Sequence, residues 1–205
     1  MKTKASQLSS IIGKIKSAKL LEQVSFTKHE WDSHKKECLQ RCNRLEENTF
    51  ACRSSALDED QNNESNAGKY LSILNVCTDE LEESIDKVFN SYGNKSSHDE
   101  ILVQPMLQNI LASGVAFSHD QNSGQSMISI SISYSNSTDV VTSGKKGYET
   151  WKCQLKADIK TNNKNIDKIR KLIEELFDLF SSPIDIEFCI DKNEVLYLLQ
   201  VRPLI

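Results

Sequence analysis

The stretch from Pro183 to Pro203 restricts this chain more than any other. Pro183 cannot donate to a backbone ladder, so it separates what precedes it from a run, Ile184 to Ile190, in which apolar and acidic side chains alternate. Asp191-Lys192-Asn193 is made of turn-forming residues, and Val195 to Val201 is apolar again, which together describe two strands joined by a tight connection. Successive side chains of a strand point to opposite faces, so Asp185 and Glu187 leave one face while Ile184, Ile186 and Phe188 enter a core. Gln200 and Arg202 share the same two-residue spacing and can stand beside the acids across the hairpin. Pro203 then ends the strand or brings it to an edge, leaving Arg202 near an opening.

Upstream, the pattern is mixed. Between Glu30 and Glu47 the residues Trp31, Cys38, Cys42 and Leu45 recur at helical intervals among charges, as on a helix that covers a sheet. Phe50 to Ala56 is short and apolar, Leu57 to Gly68 is crowded with Asp, Glu, Asn and Ser as in a polar loop, and Tyr70 to Val76 alternates as a strand. Leu81, Ile85, Val88, Phe89 and Tyr92 mark a second helix, with Thr78 or Asp79 as its cap. Ser91 to Asp99 is a polar linker and sets the expected boundary between two lobes, 1–98 and 99–205. Beyond it, Ile101 to Met106, Gly114 to Ser118 and Met127 to Tyr134 read as strands, the last alternating isoleucine with serine so that one face is buried and one wet. Ser135 to Lys164 is polar and irregular, and Ile166, Ile169, Leu172, Ile173, Leu176, Phe177 and Phe180 give the clearest helix in the chain. Interleaved strands and helices of this kind make an α+β protein.

Composition excludes several classes. With 205 residues, 38% of them hydrophobic and 26% charged, the chain can bury a real core. A net charge of -4 with scattered lysines argues against a general nucleic-acid binder. No apolar run reaches the roughly 20 residues a membrane span requires, and Met1 to Ser10 lacks the apolar centre of a secretory signal, so a cytoplasmic protein is expected, with neither nucleic acid nor membrane as partner. The six cysteines lack the paired spacing of a disulfide scaffold and read as reduced thiols. His34, Cys38 and Cys42 recur every four residues, yet no second ligand pair follows at zinc-finger distance, and a buried helix face explains them better.

Two groups of residues could carry chemistry. Asp185 and Glu187 offer converging hard oxygen ligands, as magnesium bound to nucleotide phosphates needs, with Gln200 and Arg202 completing a polar wall; a solvated acidic stripe is the plain alternative. Arg53-Ser54-Ser55-Ala56 puts a forked cation and two hydroxyls where a strand becomes a loop, which can grip phosphate or merely cap a turn. There is no Gly-x-Gly-x-x-Gly or Walker pattern, no nucleophile elbow around a serine, and no Ser or Cys partner evident for any of the four histidines.

Taken in order, Arg53-Ser-Ser-Ala-Leu-Asp-Glu-Asp60, Ser65-Asn-Ala-Gly68, Val103-Gln-Pro-Met106, Ser113-Gly-Val-Ala-Phe-Ser118, Asn122-Ser-Gly124, Val141-Thr-Ser-Gly144, Pro183-Ile-Asp-Ile-Glu187 and Leu199-Gln-Val-Arg-Pro203 resemble the ATP-binding domain of the phosphoenolpyruvate synthase and pyruvate phosphate dikinase family. The resemblance runs through most of the chain. It implies an ATP-grasp fold in which two α+β lobes, with mainly antiparallel sheets and flanking helices, hold ATP between them. The phosphoryl group then passes to a histidine on a separate domain. By the same resemblance Arg53 is the phosphate-binding arginine, Glu187 and Gln200 are metal and phosphate ligands with Asp185 and Arg202 as their neighbours, and Gln104 and Met106 form the hinge along adenine. Thr3-Lys4-Ala5-Ser6-Gln7-Leu8 is similar to the segment carrying the family's N-terminal phosphate-binding lysine, which gives that role to Lys4. The Thr-Lys-Ala start and Val-Thr-Ser-Gly segment look closest to the branch that includes glutamine kinases.

The expected ligands are therefore ATP and Mg2+. Charge neutralisation and positioning do most of the work in phosphoryl transfer, so no side-chain nucleophile is needed in such a domain. No histidine here lies in the Gly/Thr/Ser-rich context of a phosphohistidine motif, so a phosphohistidine domain or a partner chain carrying one is expected, together with a small-molecule acceptor. Departures from the family pattern (Lys2-Thr3 for a glycine pair, Asn66 for an aromatic, Gln121 for proline) leave open a degenerate, non-catalytic nucleotide-binding or regulatory protein.

Overall fold

A computed structural model describes residues 3–56, 70–93, 98–134 and 148–203. The polar loop expected over Leu57 to Gly68, with its Ser65 to Gly68 turn, and the Val141 to Gly144 segment lie outside the described residues. The chain divides into two compact units, Met1–Ser9 with Leu21–Met106, and Ser10–Leu20 with Leu107–Ile205.

In the first unit, helix α1 (Lys4–Ile11) begins, β2 (Val24–Thr27) leads into α2 (Lys28–Asn43), and β3 (Thr49–Ser55), β4 (Ile73–Cys77), α3 (Leu81–Asn90) and β5 (Glu100–Pro105) follow. The strands form an antiparallel sheet in the order β2-β5-β3-β4. β5, on the far side of the boundary expected at residue 98, pairs with β2 and β3 and so lies within this unit. A polar linker marks a surface turn, but hydrogen bonding across it decides which sheet the next strand joins.

Helix α2 starts where its sequence says it can: Thr27 and Glu30 form a reciprocal capping box. Its buried residues Trp31, Cys38 and Cys42 pack with Phe26, Phe50, Cys52, Ile101 and Val103 from the strands and with Ile85, Val88 and Phe89 of α3. Trp31 stacks on Phe26 at 5.5 Å between ring centroids, and its indole N–H donates to Asp86 at 2.6 Å, so this fully buried ring leaves no polar atom unsatisfied. Helix geometry breaks at His34, which is exposed while Cys38 and Cys42 are buried.

The second unit holds β1 (Lys19–Leu20), β6 (Ile110–Phe117), β7 (Met127–Ser133), β8 (Glu149–Gln154), α4 (Lys164–Phe180), β9 (Ile184–Asp191) and β10 (Leu196–Pro203). Its sheet runs β1-β10-β9-β6-β7-β8, antiparallel except for the short β1–β10 pair. Helix α4 is capped by Asn163, whose side chain accepts from the N–H groups of Asn165 and Ile166, and ends at Ser181 in a left-handed conformation. Its apolar stripe, Ile166, Ile169, Leu172, Ile173 and Leu176, is buried against the sheet. Strand β8 falls in the stretch expected to be irregular; it is the outermost strand and almost wholly exposed, so neither alternation nor an apolar run betrays it. Among the described residues no helix is long and apolar enough to cross a membrane.

Gly114 is dictated by packing. A Cβ built there would sit 2.1 Å from the backbone oxygen of Ser131 and 2.7 Å from the Phe188 ring, closer than any real carbon approaches.

Candidate functional site

The expected residues fall into two sets, one in each unit. In the second unit, Asp185 and Glu187 stand on β9 opposite Arg202 and Gln200 of β10, since the register pairs Gln200 with Glu187 and Arg202 with Asp185. That register depends on one residue. Leu198 pairs with Phe188 and Gln200 with Glu187, so Leu199 is an extra residue, a β-bulge. Without it, side-chain parity would turn Gln200 and Arg202 to the core face, because a one-residue slip moves every side chain to the other side of a sheet. With it, Leu196, Leu198 and Val201 remain buried and the polar pair shares the acids' face.

Arg202 grips Asp185 at both carboxylate oxygens, Nε to Oδ1 at 3.1 Å and Nη2 to Oδ2 at 2.5 Å. Asp185 is nearly buried, and the bidentate pair is what makes a carboxylate tolerable there. The guanidinium is held in one orientation by this pairing. Glu187 is half-buried and faces Gln200, whose amide is buried. The same face continues across the sheet, Val115 beside Glu187 and Phe117 beside Asp185, then Ser131 and Ser129, then Thr150 and Lys152.

At the mouth of this face, between β6 and β7, Asp120 caps its own turn. Its carboxylate accepts from the N–H groups of Ser123 at 2.9 Å and Asn122 at 3.1 Å and from the Ser123 hydroxyl, which together hold it below the usual carboxylate range. Gly124 completes the turn with φ of 67°.

In the first unit, Arg53 lies on β3 opposite Leu102 of β5, with Ala51 opposite Gln104 and Ser55 opposite Glu100. Phe50, Cys52, Ile101 and Val103 belong to the aromatic core, so alternation puts Arg53, Ser55, Gln104 and Glu100 on the opposite face. Ser54 is different. It shares the parity of Phe50 and Cys52 and is 1% exposed, on the core side rather than beside Arg53. Of the two hydroxyls in the Arg53-Ser54-Ser55 group, the one on the arginine's face is Ser55, as the Phe50-x-Cys52 alternation implies.

Ser55 has a defined task. Its Oγ accepts the N–H of Ala5 at 3.1 Å, while Thr3 donates from Oγ1 to Glu100 at 2.6 Å and accepts the N–H of Ser6 at 3.1 Å as the cap of α1. Helix α1 is thereby docked by its first turn on the end of the β3–β5 pair, and Lys4, its first residue, is carried there. Gln104 is buried, with Nε2 directed to Gln23 at 3.5 Å. Met106 is the last residue of this unit, and its backbone N–H donates to Thr49 at 2.9 Å.

Among the described residues no group of three His, Cys, Asp or Glu side chains is arranged to hold a metal ion. The donors at the β9–β10 face are oxygen atoms of one carboxylate and one amide, with Asp185 taken up by Arg202. Such a pair suits a hard cation that draws its other ligands from phosphate and water.

Two α+β units of this make-up are the ATP-grasp fold, and solved structures of that fold superpose on the chain. D-alanyl-alanine synthetase A from Vibrio cholerae is similar with a TM-score of 0.57 at 15% identity, over 98% of this chain and 54% of that one. D-Alanine-D-alanine ligase from Helicobacter pylori is similar with a TM-score of 0.55 at 19% identity, over 98% and 54% of the respective chains. The ADP complex of N5-carboxyaminoimidazole ribonucleotide synthetase is similar with a TM-score of 0.57 at 7% identity, over 98% and 44%. The chain spans about half the length of the ligases it matches. No curated protein matches it by sequence. The chain belongs to the family described as pyruvate phosphate dikinase, AMP/ATP-binding domain, whose pattern matches residues 5–99 and 142–205. It is therefore an ATP-binding domain of an ATP-utilising enzyme family.

Proposed function

We propose that this chain is the ATP-holding module of a phosphoenolpyruvate synthase-like phosphotransferase, which binds Mg-ATP and delivers a phosphoryl group to a histidine on a separate domain or partner chain. The observation that carries the reading is the bulge-set register of the terminal hairpin, which aligns Glu187 with Gln200 and Asp185 with Arg202 on one face. In this reading Glu187 and Gln200 hold the metal and the phosphates, and Arg202, fixed by Asp185, keeps a cation in one place beside them. Arg53 supplies forked donors to phosphate and Lys4 a point charge. Gln104 and Met106 lie along the base. Bound magnesium supplies neutralisation of phosphate charge.

The test is calorimetric titration of ATP into the whole chain with and without magnesium. Binding is expected in magnesium, weakened by about a hundredfold in Glu187→Ala and by about tenfold or more in Arg53→Ala. No nucleotide binding in magnesium would overturn the reading. Supplying a phosphohistidine domain from a relative then separates a working module from a degenerate one: transfer of label from [γ-32P]ATP to that domain supports the phosphotransferase, and binding without transfer identifies a nucleotide-binding regulator.

A further inference from the structure

A cavity of about 370 Å3 opens in the second unit where three segments meet: the loop before β1, the outer side of α4 and the start of β10. Val195 and Leu196 contribute apolar surface to it, and its polar lining is dominated by Lys16, Lys19, Lys168 and Lys171 against a single acid, Glu194. Four lysines and one glutamate line it in a chain whose net charge is -4, and the Glu175 carboxylate lies against the same loop.

The walls are held by bonds that leave most of this charge unspent. Glu175 accepts the backbone N–H groups of Lys16 and Ser17 at 2.7 and 2.9 Å, which fixes the loop through its main chain and not through the lysine ammonium. Lys19 is set by the pairing of β1 with β10, opposite Tyr197. Lys168 is committed: its Nζ donates to the Glu194 carbonyl at 2.7 Å and lies 3.8 Å from the Glu194 carboxylate. Among the described residues the ammonium groups of Lys16, Lys19 and Lys171 have no hydrogen-bond or ion-pair partner. Elsewhere on the surface lysines do pair, Lys28 with Asp32, Lys87 with Glu83 and Lys156 with Asp178. Like charges gathered round a concavity repel one another and gain when a multivalent anion enters, and lysine serves phosphate as a point charge. The volume lies in the range of small-molecule sites, about 300–1,000 Å3.

We propose that this cavity is a binding site for a small phosphate-bearing anion, distinct from the nucleotide face and met chiefly by Lys16, Lys19 and Lys171. It does not rest on the assignment of the β9–β10 face. The probe is inorganic pyrophosphate, titrated calorimetrically without magnesium into the whole chain, into Lys19→Glu/Lys171→Glu, into Lys36→Glu/Lys160→Glu as a control of equal charge change, and into Arg53→Ala. Wild type is expected to bind with a submillimolar Kd, the cavity variant to lose about tenfold or more, and the charge-matched control to keep it within about twofold. Lys19→Gln/Lys171→Gln repeats the test without charge reversal if the first variant does not fold. A wild type that shows no saturable binding by about 10 mM, or binding lost in Arg53→Ala and retained in the cavity variant, overturns the proposal. Nucleotide binding can fail while pyrophosphate still binds here, so the two readings fall separately.

Discussion

The two units each set a charged face against an apolar one, but they reach it by different routes. In the second, residues on two adjacent strands align because a single extra residue, Leu199, changes side-chain parity between Leu198 and Gln200. In the first, the arginine's row is completed from far away in sequence, Ala5 reaching Ser55 across 50 positions and Thr3 reaching Glu100 across 97. A hairpin brings its own partners together, whereas a docked helix depends on contacts whose closure entropy is met only when the unit folds. The lesson is that the second unit's candidate residues are locally encoded and the first unit's are conditional on tertiary structure.

The sharpest way to break that contrast is to delete Leu199. Gln200 and Arg202 should then turn to the α4 side of the sheet, and ATP affinity should fall by about a hundredfold or more by calorimetry. A deletion variant that keeps its affinity would show that the bulge does not set the face. Next, Gly114→Ala should cost about 3 kcal/mol or more in denaturant unfolding, because the added carbon meets a backbone oxygen and an aromatic ring that cannot both retreat. An unchanged midpoint would mean that β6 and β7 separate more easily than their packing implies.

The first unit has its own weak point, at high pH. Burial, aided for Cys42 by Cys38 and for Cys52 by Cys42, pushes both thiols up to about 12 from an ordinary value of 9.0. The folded state therefore keeps protons that the unfolded chain releases, so this contribution is complete below pH 9 and is lost as pH rises toward 12. Stability should drop by about 2 kcal/mol between pH 8 and pH 10, read from urea midpoints followed by Trp31 fluorescence. A flat profile would contradict the burial of these thiols. The smallest effect belongs to Ser55→Ala, about 1 kcal/mol from the lost acceptor for the Ala5 N–H. It should also lower ATP affinity a few-fold by loosening the helix that carries Lys4, and a variant unchanged in both would detach α1 from the site.

What could be read in advance follows the same division. The β9–β10 hairpin, β7 and α4 announce themselves because one face is apolar and the other polar, so period two or period 3.6 is written in the residues. The bulge was legible too: the apolar positions Leu196 and Leu198 are followed by Leu199 and Val201, a change of parity within one strand. Helix α1 is signalled only by Ala5, Leu8 and Ile11, three buried residues at helical spacing in an eight-residue helix, and its role is fixed by distant partners. The Arg53-Ser54-Ser55 motif names residue types, while only the strand's alternation tells which of its two hydroxyls faces the arginine.

Strand β8 escaped notice for a reason that has a use. Among the described residues no strand pairs with the outer side of this edge strand, and such an edge is a template on which another copy of the chain could add itself. Glu149 and Lys152 on that strand are the charged interruptions that discourage such addition, and Trp151 is the residue that would reward it. The polarity that hides β8 from pattern reading is thus a guard on solubility, and replacing both charges with valine should turn the free edge into a seed for aggregation.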